Sequence, residues 1–207
     1  MRAALPTIAL TVALAAAAVT AQAADLPPQL ARVAPDDHVM GKADAPVTVI
    51  EYGSVACPAC AAFNESVFPQ IKAKYIDTGK ARYVFRPMLT GSPAIAVAGT
   101  RMAECAGKDR YFAVVDAMMR GQKEYYAWGE SNIIAKPILN RIAASFGMNE
   151  AAFNACAGDA AGLARLQKAH QAALDAGVTS TPTLYVNGKQ VEHHDLASVE
   201  AAIKAAR

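Results

Sequence analysis

The sequence predicts an α/β fold in which two sheet-forming stretches flank an inserted all-helical block. Three observations lead there. Runs of β-branched and aromatic residues occur early and late in the chain, helical apolar spacing fills the middle, and Cys57-Pro58-Ala59-Cys60 stands at the first strand-to-helix junction.

In chain order, residues 1–23 read as a secretory signal. Arg2 starts it, 8–19 are apolar and alanine-rich, and Ala21-Gln22-Ala23 is a small-residue cleavage site. The apolar run is shorter than the roughly 20 residues that cross a bilayer, so a membrane-embedded protein is not expected. Residues 24–44 read as a weakly structured leader, and 45–90 as the first half of the sheet domain. There 47–52 form a strand, and Phe63, Val67, Ile71 and Tyr75 recur every four residues on one helix face, which Pro69 should bend. A second strand follows over 81–86, stopped by Pro87.

Residues 91–158 form the helical insertion. Ser92 is its expected first cap, with Pro93 at the first helical position. A second helix starts at Asp109 and carries Phe112, Val115 and Met119; a third carries Ile134, Ile138, Ile142 and Phe146 and ends at Gly147. Asn149 caps a short one through Phe153. Residues 159–207 complete the sheet domain, with a helix over 159–176, a turn and strand over 180–186, the hairpin turn Asn187-Gly188, a return over 189–192 and a last helix over 196–206.

The formal charge of +2 falls to about +1 once Arg2 is removed, which excludes a basic groove for nucleic acid and a polybasic membrane patch. A Cys-x-x-Cys pair serves either dithiol exchange or half of a zinc site. Export places the four cysteines in an oxidising compartment, where zinc held by reduced thiolates loses ground.

Two segments, Glu51-Tyr52-Gly53-Ser54-Val55-Ala56-Cys57-Pro58-Ala59-Cys60 and Val178-Thr179-Ser180-Thr181-Pro182-Thr183-Leu184-Tyr185-Val186-Asn187-Gly188, together with the helical block between them, resemble the thioredoxin fold of DsbA-like periplasmic thiol:disulfide oxidoreductases. The resemblance implies a thioredoxin fold with an inserted all-helical domain and a cis bond at Thr181-Pro182, packed on the cysteine pair. It implies no cofactor. Its expected clients are reduced or unfolded exported proteins, and its expected partner is a DsbB-like membrane quinone reductase that reoxidises the pair. Run in the other direction, the same chemistry makes a reductase or isomerase kept reduced by a membrane electron carrier. A non-catalytic holdase is a third class, against which the set of Glu51, the cysteine pair and Thr181-Pro182 argues.

Pro58 is a good first helical residue, so the sulfur of Cys57 should lie at a helix N-terminus, where free N–H groups stabilise a thiolate. Cys57 is then the nucleophile, and Cys60, on the first turn, the buried resolving thiol. Glu51 is unexpected among Val47, Val49 and Ile50; it is either a proton relay to Cys60, as the resemblance implies, or a strand-end residue facing water. Many DsbA-like oxidases carry histidine where Ala59 stands, so the resemblance implies a less acidic Cys57 and an intermediate potential. Cys105 and Cys156 bracket the insertion and should pair, closing a loop of about 50 residues for about 3 to 4 kcal/mol of chain-entropy stabilisation. Two separate buried thiols are the other reading, and a regulatory bridge a further one. His170 is expected in the core beside Leu163, Leu166 and Leu174, with His193 and His194 exposed and no metal site. Met118, Met119 and Trp128 are expected in the core or at the domain interface.

Overall fold

A computed structural model of the chain describes residues 25–126 and 132–207. The expected signal over 1–23 and Trp128 lie outside the described residues. Five strands form one mixed sheet in the order β1-β3-β2-β4-β5: β1 (Val39–Met40), β2 (Val47–Gly53), β3 (Ala81–Pro87), β4 (Thr183–Val186) and β5 (Lys189–Gln190). The pair β2/β3 is parallel, and the other three contacts are antiparallel.

Every residue of β2 is buried because both faces of the sheet are covered. Val47 and Val49 pack with Tyr83, Phe85, Leu184 and Val186 against α2 (Pro58–Ser66), α3 (Phe68–Ile71), the helical block and the last helix. Ile50 and Tyr52 face the other way and meet Val84, Tyr185, Ala173 and Val178. Pro69 acts as expected. The α-helix breaks at Val67, and after α3 the chain widens into a π-helical turn over Lys72–Ile76.

The helical block comprises α4 (Pro93–Cys105), α5 (Tyr111–Tyr125), α6 (Asn132–Ser145) and α7 (Glu150–Ala157). Then α8 (Ala160–Asp175) leads back to the sheet, and α9 (Leu196–Ala205) closes the chain. Asn149 and Asp159 cap α7 and α8 by accepting from backbone N–H groups three residues on. Asn187 and Gly188 both adopt positive φ, the backbone of a tight hairpin turn.

Several expectations are corrected. The leader is structured: β1 pairs with β3, and α1 (Pro28–Ala31) and the segment after it are tied down by Arg86, which donates to Leu30 O at 2.5 Å and Arg32 O at 2.6 Å and pairs with Asp37 at 2.7 Å. The helix expected from Asp109 begins at Tyr111, α7 runs past Phe153 to Ala157, and the return strand stops at Gln190. Ser92 occupies the N-cap position without a side-chain capping bond. On α8 the buried side is Gly162, Leu166 and Ala173, so Leu174 is exposed. His170 is half-buried, its Nδ1 accepting from the Leu89 N–H at 3.4 Å.

Candidate active site

The site is built where β2 ends. Ser54-Val55-Ala56-Cys57 make a tight turn closed by the Cys57 N–H donating to Ser54 O at 3.1 Å, and Pro58 starts α2. Cys57 is therefore the N-cap of α2, in extended conformation, while Cys60 is wholly buried on the first turn. The register that pairs Tyr52 with Thr183 carries the preceding residues, Thr181 and Pro182, past the end of β2 to the cysteine pair. The Thr181–Pro182 bond is cis, and the Cys57 thiol lies 3.4 Å from Thr181 O. The Thr181 and Thr90 hydroxyls are 2.6 Å apart, and Ser54 Oγ donates to Thr90 O at 2.8 Å, joining three loops around the pair.

The two thiols are electrostatically unequal. Donation from the Cys60 thiol, and beyond it from the Thr181 side chain and the N–H groups of Cys60 and Ala59, lowers the pKa of Cys57 to about 5 against the cost of burial. Cys60 is pushed far up, first by burial, then by the hydrogen bond to Cys57 and the charge of Glu51; its sulfur accepts from the Ser54 N–H at 3.4 Å.

Glu51 does not face water. It is 1 % exposed and shares the sheet face of Val47 and Val49, beneath α2. Its Oε2 accepts from the Tyr83 hydroxyl at 2.6 Å, while Oε1 has no hydrogen-bond partner among the described residues. Burial raises its pKa to about 7; Tyr83 opposes the rise and the Cys57 charge adds to it. Room for the carboxylate comes from Gly53, where a Cβ would stand 2.5 Å from Glu51 Oε1 and 2.6 Å from Phe85. An acid titrating near neutrality, close to a buried thiol, can give or take the proton that the thiol must exchange.

The thioredoxin family model matches residues 33–205. The chain belongs to the thioredoxin superfamily, in its DsbA-like branch. The crystal structure of Wolbachia pipientis alpha-DsbA1 superposes with a TM-score of 0.73 at 28% identity, covering 86% of this chain and 94% of that one. A Rickettsia bellii protein, provisionally named a protein-disulfide oxidoreductase, is 29% identical over 83% of this chain and 64% of its own length. The chain thus spans a little under two thirds of the curated relatives it matches over most of its length. Disulfide bond formation protein D of Bacillus subtilis is 40% identical over 72 residues, 34% of this chain and 30% of that protein.

In this DsbA-like chain, Cys57, Cys60, Glu51, Thr181 and Pro182 converge on one site. Cys105 and Cys156 lie apart from it and are joined to each other as a disulfide, with Cα atoms 6.2 Å apart. The sequence reading missed Ser54, Tyr83 and Gln122. Gln122 could have been found: it interrupts the apolar stripe of α5 between Met118 and Tyr125, where a polar residue needs a buried partner.

Proposed function

We propose that the protein is a periplasmic thiol:disulfide oxidoreductase, and that it works as an oxidase which introduces disulfides into exported proteins. The chief support is the inequality of the two thiols: a sulfur at the mouth of α2 held as thiolate above a wholly buried one held as thiol, next to an acid titrating near 7.

In the oxidised enzyme, a client thiolate attacks Cys57 Sγ. The Cys57–Cys60 bond breaks, and Cys60 leaves with the electron pair and takes a proton that Glu51 carries below about pH 7. A second client thiolate attacks the client sulfur of the mixed disulfide, and Cys57 leaves as the thiolate that the Cys60 thiol, Thr181 and the N–H groups of Cys60 and Ala59 stabilise. Two electrons pass from the client to the pair. A membrane quinone-linked reductase of the DsbB type would then remove them. The low pKa of Cys57 makes it the better leaving group and favours the reduced enzyme, which is the property of an oxidant.

Oxidation of a reduced, unfolded client by the purified disulfide form tests the chemistry; wild type should form disulfides and Cys57→Ser none. Rapid alkylation of cells tests the direction. Cys57 and Cys60 found mainly oxidised supports an oxidase, whereas a mainly reduced pair assigns the protein to the reductases or isomerases fed by a membrane electron carrier.

A further inference from the structure

The turn that presents Cys57 is buried, and that creates a demand its own residues do not meet. Val55 and Ala56 have no exposed surface, yet turn carbonyls ordinarily face water. The donors come from the helical block. Gln122 Nε2 donates to Val55 O at 2.9 Å and to Cys57 O at 3.1 Å, the Tyr125 hydroxyl shares its one proton between Val55 O and Met118 O, each at 2.8 Å, and the Tyr126 hydroxyl donates to Ala56 O at 2.5 Å. Three consecutive carbonyls leading into the cysteine pair are thus held by side chains 65 to 70 residues away. Gly91 lets the chain lie against the same turn. It has φ of +77°, and a Cβ there would meet Ala56 O at 2.2 Å.

We infer that Gln122, seconded by Tyr126, is a positioning residue for the Cys57 thiol: by gripping the carbonyls on either side of the turn, it fixes the sulfur against the free N–H groups of α2. Gln122 touches no reacting atom. Its two bonds span the turn from Val55 to Cys57, and Cys57 O is also the first acceptor of α2, receiving the Ala61 N–H at 3.1 Å. Without Gln122, Cys57 O keeps only the Ala61 N–H and is no longer tied to Val55 O across the turn, so the sulfur's alignment with the Ala59 and Cys60 N–H groups loosens. The thiolate is then less stable, and the enzyme a weaker oxidant.

This rests on Cys57 and Cys60 being the reactive pair, so the wild-type protein is titrated first by thiolate absorbance at 240 nm and equilibrated with glutathione. A wild-type Cys57 with an ordinary thiol titration would sink the functional reading itself. With that established, Gln122→Met keeps the side chain's bulk and removes its donors; the Cys57 pKa should rise by about one unit and the glutathione equilibrium should move about tenfold toward the enzyme disulfide. Asn64→Ala is the control. It removes a 2.8 Å bond to Asp116 across the same seam between α2 and α5 without touching the turn, and should leave the titration where it was. An unchanged titration in Gln122→Met, or an equal shift in Asn64→Ala, overturns the inference. If Gln122→Met does not fold, Tyr126→Phe replaces it: a smaller shift in the same direction supports the inference, and no shift overturns it.

Discussion

Cys57 and Cys60 are buried at the start of α2, whereas Cys105 is exposed and joins half-buried Cys156 across the outside of the helical block. The pair with more access to solvent is the one tied into the scaffold, so access alone does not mark a reactive pair. The surroundings differ in how charge is balanced. Beside the Cys105–Cys156 bridge lies Arg101, buried but compensated by Glu104 and Asp159, and bonded to Cys156 O at 3.1 Å. Around Cys57 the donors are neutral: the Cys60 thiol first, then Thr181 and the helix N–H groups favour a negative sulfur, and Glu51 below is raised by burial and acted on by Tyr83 and Cys57. Neutral donors and a proton-exchanging acid are what separate the two pairs.

Deleting each pair in turn has the largest and most different effects. Cys57→Ser should abolish client oxidation. Cys105→Ser with Cys156→Ser should leave the exchange rate within a few-fold and cost about 3 to 4 kcal/mol in denaturant unfolding. A double serine variant that unfolds at the wild-type midpoint would show the bridge to be no staple.

Glu51→Gln has the next largest effect. The folded-state pKa of Glu51 is raised, so its carboxyl is compatible with the fold when protonated, and stability is lost as pH rises from about 4.5 through about 7. The glutamine variant should escape that loss and be more stable above pH 7 by about 3 kcal/mol. It should also lose any break near pH 7 in the rate of client oxidation, and an unchanged profile would remove Glu51 from the proton path. Tyr83→Phe should shift the same break upward by up to about one unit, because it removes the hydrogen bond that holds the carboxyl down. The smallest effect expected is that of Ala59→His. A cation two residues from Cys57 should move the glutathione equilibrium toward the reduced enzyme by about tenfold or less, since the position is exposed and screened. A move toward the disulfide would contradict the reading of Ala59.

What was legible in the sequence was local. Hairpin chemistry at Asn187-Gly188, the cap Asn149, the break near Pro69 and the placing of Cys57 at the start of α2 each depend on a few neighbouring residues. What escaped depends on distant chain. Residues 25–44 carry little apolar pattern of their own and are ordered by Arg86, some fifty residues on. The burial of Glu51 follows from a sheet covered on both faces, which alternation along one strand does not reveal. The carbonyls of Val55, Ala56 and Cys57 look like ordinary turn atoms until α5 is laid over them.

The sheet's outer strands have a consequence for a protein proposed to work among unfolded chains. Such clients expose backbone in search of hydrogen bonds, and a long open strand would invite them to extend the ladder. Here both margins, β1 and β5, are two residues long, and the Leu26 N–H caps Gly188 O at 2.8 Å beside the second. A client therefore meets little template for β-pairing. It can stay long enough to exchange a sulfur without becoming a sixth strand.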